Sequence, residues 1–433
     1  MADVRPFQAL RYNTATENMA TVICPPYDVI GPRQEAALLA HDLHNFIRIE
    51  YAKTLPADSE GCNRYTRALA HLQEWLRDEV LKQDETPAYY LHEHTYRYGG
   101  DKIIRRGLFA RVRLEEWDKM IVRPHERTMA GPKKDRIKLI GTLEADTSPV
   151  FGLYQDEGRL IGAVLDQISG WPEAIEFAGE EGEYHRVWVI TDLEAVAAIQ
   201  RAFAEKPIYI ADGHHRYESS LAYRNERYAL DPKISPDAAV NFVMMSLTDM
   251  ADPGLLILPT HRLLKGLSKN LLYILPERLQ EYFKVERFNA SVDGWQKVKA
   301  LMVEDSSRFF IYGLGGNELL SLTAKDQAKM EGFMPSGHTT TYPGMDVSVV
   351  DHVVLENILG MNAMDEERIA YDHDLDSTVS RVKSGEFQFA FILKPVRPET
   401  IQAISDAKDR MPRKSTYFYP KLPSGIVVYR LRD

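Results

Sequence analysis

Only two cysteines, Cys24 and Cys62, occur in the 433 residues. Two thiols cannot build a disulfide framework or a cysteine-ligated zinc site, and their scarcity fits a reducing cytoplasm. No apolar run approaches the ~20 residues that span a bilayer, so no membrane association is expected. Met1–Phe7 carries charge and proline but no apolar stretch, and does not read as a secretory signal. An excess of positive charge is also missing: 53 lysines and arginines face 63 aspartates and glutamates, a formal net charge of −10. Nucleic-acid binders carry a basic domain or stripe, so direct nucleic-acid binding is not expected. Internal repeats, low-complexity tracts and long like-charge blocks are absent too.

What remains is the balance of a globular protein, with 27% charged and 44% hydrophobic residues. The chain is too long for one ordinary core, so two or three domains or one elaborated domain are expected. Apolar patterns alternate between strand-like and helix-like along its length, which predicts a mixed α/β (α+β) fold. Ala20–Cys24 and Asn45–Glu50 read as strands, and Pro25–Ile30 as a rigid turn that presents Tyr27 and Asp28. The segment from Asn63 to Lys82 has helical spacing. Ala88–Tyr98 and Ile103–Leu114 form a hairpin around Gly99-Gly100-Asp101. On that hairpin His92 and His94 share a face and read as half-exposed strand residues, with no third metal ligand evident. Domain boundaries are expected near 235 and 345. They delimit a core at 1–235, a smaller α/β domain at 236–345, and a C-terminal α/β segment at 346–433 that packs on the core.

The richest chemistry sits in Ala211-Asp-Gly-His-His-Arg-Tyr-Glu218. Pro207–Ile210 before it reads as a buried strand and Ser219–Tyr228 after it as a helix. Gly213 permits a turn that other residues resist. Amide N–H groups at a helix start attract anions, and Arg216 adds a fork of donors suited to phosphate. Asp212 sits where a cap or metal ligand would sit. His214 and His215 supply groups that titrate near neutrality. A second stretch, Ile121 to Thr128 continued by Gly131 to Arg136, places His125 and Glu126 among cations that include Lys133, Lys134 and Arg136. It lacks the spacing of a Walker loop. Pro259-Thr-His-Arg262 ends an apolar strand with His261 and Arg262. Lys414, Ser415, Thr416 and Lys421 group cations with hydroxyls of the kind that bind phosphate or carboxylate.

Several of these motifs are recognisable together. Arg5-Pro-Phe7, Pro25-Pro-Tyr-Asp28, Pro124-His-Glu-Arg-Thr128, Ala211 to Arg216, Pro259 to Arg262 and Lys414 to Lys421 resemble, in order, the domain-of-unknown-function 1015 family. The Asp-Gly-His-His-Arg turn alone is similar to the signature of the ParB and sulfiredoxin-like superfamily. There the turn holds nucleotide phosphates at a helix N-terminus, and some members are free-serine kinases. That resemblance implies a ParB-like core with α/β elaborations and a cytoplasmic phosphotransferase using ATP or ADP with Mg2+ on a small hydroxylated metabolite such as serine. Phosphate would be held by Asp212, Gly213, His214, His215, Arg216, Lys133, Lys134 and Arg136. Glu126 would act as base, with His125 and His215 also catalytic. Tyr27, Asp28, His261, Arg262, Lys414, Ser415, Thr416 and Lys421 would face the acceptor, and Asp28 and Asp212 would hold the metal. The rivals are a ParB-like nucleotide-binding regulator and a metal-dependent phosphoester hydrolase built on His125, His214, His215 and the carboxylates. The enzymatic account requires three distant segments to form one positively lined cavity.

Overall fold

The computed structural model describes residues 1–432 except 173, 180, 181 and 305–307. The chain divides into two compact units. The first comprises Met1–Pro124, Thr128–Leu256 and Pro420–Asp433, and the second His125–Arg127 and Ile257–Tyr419. These are not the expected divisions. Residues 236–256 go with the first unit, and 346–419 belong to the second.

A nine-stranded sheet organises the first unit. Its main strands are β1 (Tyr89–Tyr98), β2 (Asp101–Arg113), β3 (Val122–Arg123), β4 (Val150–Tyr154), β5 (Ile175–Ala178), β6 (Tyr184–Ile190), β7 (Ile208–Asp212) and β8 (Phe242–Asp249). They lie in the order β3-β7-β4-β8-β2-β1-β6-β5, with Val4–Arg5 pairing onto β2. β3 is parallel to β7 and β4 to β8, and the remaining pairs are antiparallel. Successive residues of β8 enter two different apolar layers. Phe242 and Met244 pack with Phe46, Trp75 and Tyr90, while Val243, Met245 and Leu247 pack with Tyr89, Leu91 and Trp188. A sheet covered on both faces carries near-continuous apolar strands, hence the unbroken run Phe242-Val-Met-Met245. Each such large side chain contributes about 1.5–3 kcal/mol by leaving water.

Three helices matter for the site: α1 (Arg64–Arg77), α2 (Ala130–Leu143) and α3 (His214–Leu230). α1 starts at a capping box between Asn63 and Thr66 and buries Ala68, Leu72 and Trp75. Two expected strands are helical instead. Met19–Val22 forms one turn capped by the Asn18 side chain, and Ile47–Glu50 forms another. At the second, the side-chain oxygen of Asn45 accepts from the Ile47 amide, and its nitrogen donates to the carbonyls of Thr21 and Ile23. A side chain that bonds local backbone competes with strand pairing.

The second unit is built on a six-stranded antiparallel sheet. Its strands are β9 (His261–Leu264), β10 (Phe283–Asn289), β11 (Arg308–Tyr312), β12 (Glu318–Ala324), β13 (Ile369–Asp372) and β14 (Phe389–Ile392), in the order β10-β12-β11-β14-β9-β13. The helix expected from Asp346 to Leu359 is present, but Val349–Ile358 is wound as a π-helix. Val349, Val350, Val353 and Ile358 all reach the apolar core. The mixed α/β class expected from the sequence is what both units show. Among the described residues, no helix is long and apolar enough to cross a membrane.

Candidate functional site

In the first unit the chain leaves β7 at Asp212, turns at Gly213 and enters α3. Gly213 has φ 93°, and a β-carbon there would lie 2.8 Å from Nε of Arg216. Both the backbone angle and the contact therefore demand glycine. No side chain caps the helix start. Arg216 reaches back across the turn. Its Nη2 donates to Oδ2 of Asp212 at 2.6 Å, and its Nη1 donates to the carbonyl of Pro149. Lys421 donates to the other carboxylate oxygen, Oδ1, at 2.9 Å. Burial pushes the Asp212 carboxyl up, but Lys421 and then Arg216 outweigh it and hold the group well below the usual carboxylate range. Burial opposes the charge of Arg216 as well, and Asp212, then Asp28, more than restore it.

Arg216, Arg136, Lys133 and Lys421, cations expected to be available, are thus already paired. Arg216 is 6% exposed, and its charge faces Asp212 rather than an open cavity. Arg136 is 4% exposed. It donates to Oε1 of Glu50 at 3.2 Å and to Oδ2 of Asp135 at 2.7 Å, and lies 3.9 Å from the centre of the Tyr27 ring. Glu50 also accepts from Thr147 and Ser148. Arg136 is a strut that seats Tyr27, not a phosphate ligand. Burial raises the Tyr27 hydroxyl to about 12, although Arg136 and Arg216 both pull it down. Asp28 beside it is exposed. His215 accepts the Met129 amide on Nε2 at 2.8 Å, so that nitrogen carries no proton and is not poised as a base. Lys133 reaches Glu218 at 3.4 Å, Glu218 also accepts from Thr128, and Lys134 is exposed. His214 is buried at the first helical position.

The second unit gathers another set of expected residues. The carbonyl of buried His125 accepts from the Met411 amide at 2.8 Å, and its Nε2 lies 3.2 Å from the Thr416 hydroxyl. Oε1 of Glu126 accepts from the Lys414 amide at 3.4 Å. Ser415 is buried and donates to the Pro412 carbonyl at 2.6 Å. Arg262, 1% exposed, donates to the carbonyls of Thr260, Arg413 and Lys414 and to Asp351. It pins the loop from within and does not face an acceptor. His261 takes the Leu393 amide on Nδ1 at 3.1 Å, and burial drives its pKa down to about 4. Neither His261 nor Arg262 is presented to a substrate, contrary to expectation.

Expected metal ligands fare no better. Both oxygens of Asp212 are taken by cations, and a third cation there would be repelled. Among the described residues, acid and histidine groups with metal-like spacing are His94/Glu183/His185 and Glu17/Asp42/His44. Neither contains Asp28, Asp212, His125, His214 or His215. A cavity of about 420 Å³ in the first unit, lined by Arg106, Tyr154, Asp156, Asp249 and Asp252, includes none of the expected site residues. The same holds for one of about 540 Å³ in the second unit, lined by Thr340, Asp346, Lys394 and Arg397.

The family described as "Protein of unknown function (DUF1015)" matches residues 4–348. The chain belongs to the DUF1015 family. Among solved structures, a conserved hypothetical protein from Pyrococcus furiosus is 14% identical, with a TM-score of 0.36, covering 75% of this chain and 95% of its own. The free serine kinase in complex with AMP is also 14% identical, with a TM-score of 0.36, covering 72% and 86%. SbnI with a C-terminal truncation, from Staphylococcus aureus, is 10% identical, with a TM-score of 0.33, covering 72% and 84%. At these scores the likeness carries no argument about what the DUF1015 chain does. No curated protein matches it.

Several residues of this DUF1015 chain escaped sequence reasoning. Glu50, Asp135, Glu218 and Asp351 are the carboxylates that hold the expected cations. No local signal marks Glu50 or Asp351, because each is far in sequence from its arginine. Asp135 was visible beside Arg136, and Glu218 lies within the recognised turn.

Proposed function

We propose that the start of α3 is a phosphate site and that this chain is a nucleotide-dependent phosphotransferase acting on a small hydroxylated metabolite, with free serine among the acceptors. The observation that supports this is the placement of Asp212 between Arg216 and Lys421 beside an uncapped helix start. A carboxylate held by two cations there occupies the position a phosphate oxygen would take. A nucleotide phosphate carries more charge than the carboxylate and would take over its partners, with Gly213 letting the ligand approach the backbone. Phosphoryl transfer asks mainly for positioning and charge neutralisation. Mg2+ would enter with the nucleotide, and Asp28, exposed beside Tyr27, is available to the acceptor. Glu126 stays the proposed base.

Calorimetric titration with ADP and ATP tests the site. Arg216→Ala should weaken binding at least tenfold. Asp212→Asn, which removes the competing charge, should strengthen it roughly tenfold. Weaker binding in Asp212→Asn would mean that the carboxylate serves the nucleotide rather than standing in for it. Incubation with Mg2+, ATP and serine should then yield a phosphorylated acceptor. Binding without product favours the regulatory reading. Glu126→Gln should leave nucleotide affinity within twofold and abolish turnover.

A further inference from the structure

We infer that the first unit carries a transition-metal centre on β1 and β6, formed by His94, Glu183 and His185. The register of the sheet makes it. β1 and β6 are antiparallel, with His94 directly opposite His185 and His92 opposite Val187. Directly paired residues have β-carbons about 4.5–5.5 Å apart on one face. Glu183 precedes His185 by two positions and projects to the same side.

The donor atoms converge. Nε2 of His94 lies 2.9 Å from Oε2 of Glu183, and Nε2 of His185 lies 3.7 Å from the same oxygen. All three donors fall within 4.8 Å of one another. Ligands at about 2.0–2.1 Å from a tetrahedral zinc are separated by about 3.3 Å, so small adjustments close the triangle. Two imidazoles and one carboxylate are a donor set for divalent zinc, iron or manganese. Three protein donors leave a coordination position open.

Two further features fit a metal. Nδ1 of His185 lies 2.9 Å from Nε2 of His92. When Nδ1 of His185 is the donor in that bond, Nε2 of His185 is a lone pair free for a metal, and the second imidazole fixes the ring as outer-sphere partners of metal ligands do. At Gly179 a β-carbon would lie 2.6 Å from Nε2 of His185 and 3.0 Å from the β-carbon of Glu183. Glycine therefore keeps the donor end of the imidazole uncovered. Against the metal stands Arg105, whose Nη2 lies 3.4 Å from Nδ1 of His94. A guanidinium only donates, so Nδ1 accepts and the proton of the neutral ring sits on Nε2; a metal at Nε2 must shift that proton to Nδ1 and displace the arginine, and the charge of Arg105 weakens affinity further.

The test uses the whole chain, stripped with a chelator and titrated with Zn2+ and with Co2+. One equivalent of zinc should bind at micromolar concentration or tighter. Cobalt should give the visible bands of a nitrogen and oxygen site without thiolate absorption. Glu183→Gln and His94→Gln should each weaken binding at least a hundredfold, and His92→Gln roughly 10–100-fold. Glu183 is at the mouth, with 23% of its side chain exposed, so its variant keeps the test valid if a buried histidine variant does not fold. No stoichiometric binding, unchanged binding in Glu183→Gln, or loss instead in His44→Gln of the Glu17/Asp42/His44 group would overturn the inference.

Discussion

The two polar clusters use the same residue types to opposite ends. In the first unit Arg216 meets a carboxylate that a second cation, Lys421, also holds. In the second unit Arg262 meets three backbone carbonyls as well as Asp351. A guanidinium paired with a carboxylate can exchange that partner for another anion. Arg216 would orphan one main-chain carbonyl, that of Pro149, by leaving, whereas Arg262 would orphan three and a buried carboxylate. How firmly an arginine in a recognisable motif is committed thus depends on how many backbone and carboxylate groups accept its protons, and the motif does not say how many.

The largest effect should come from removing the committed arginine. Arg262→Ala leaves Asp351 buried without its cation and should cost about 3–5 kcal/mol in urea unfolding. Arg216→Ala leaves Asp212 still paired to Lys421 and should cost about 1–3 kcal/mol. Equal losses would break the distinction. One buried group in each unit should also contribute to the pH response with opposite sign. Asp146 is fully buried, and desolvation raises its carboxyl to about 7 despite hydrogen bonds from Met244 and Ser220. With a folded pKa above the unfolded one, its contribution is complete below about pH 4, declines as pH rises to 7, and is flat beyond. Asp146→Asn should remove that slope, gaining on the native chain by up to roughly 4 kcal/mol between pH 4 and 8. His261 has its folded pKa depressed to about 4, so its contribution is complete above about pH 6.5 and lost as pH falls. His261→Gln should lose up to roughly 3 kcal/mol less than the native chain between pH 7 and 4. Slopes of the same sign would show that these two groups do not govern the response. Smallest, Gly213→Ala should cost about 1–2 kcal/mol for the left-handed backbone, and should impair nucleotide binding more than that loss explains, because Arg216 must move.

Legibility followed sequence distance. The strand, turn and helix around Gly213 were readable because an apolar run, a glycine and an amphipathic stretch are consecutive. The hairpin at Gly99 was readable for the same reason. Asn45 defeated the strand pattern of its neighbours by bonding their backbone, a choice that hydrophobic spacing does not record. The pairings Asp212 to Lys421, Arg136 to Glu50 and Arg262 to Asp351 depend on tertiary approach and left no local trace. His92 and His94 were visible as an alternating pair. Their companions Glu183 and His185 became visible only once β1 and β6 were known to be neighbours.

The first unit is threaded discontinuously: Tyr429–Arg430 pairs with Ala145–Asp146, and Lys421 reaches Asp212, after the whole second unit has intervened. On the ribosome, the sheet strands at 89–249 emerge long before the segment that completes the first unit. Until then Asp212 must wait with one cation, so maturation of this turn is coupled to synthesis of the chain past Lys421, and a nascent chain arrested before Pro420 should be more readily cleaved by protease near that turn.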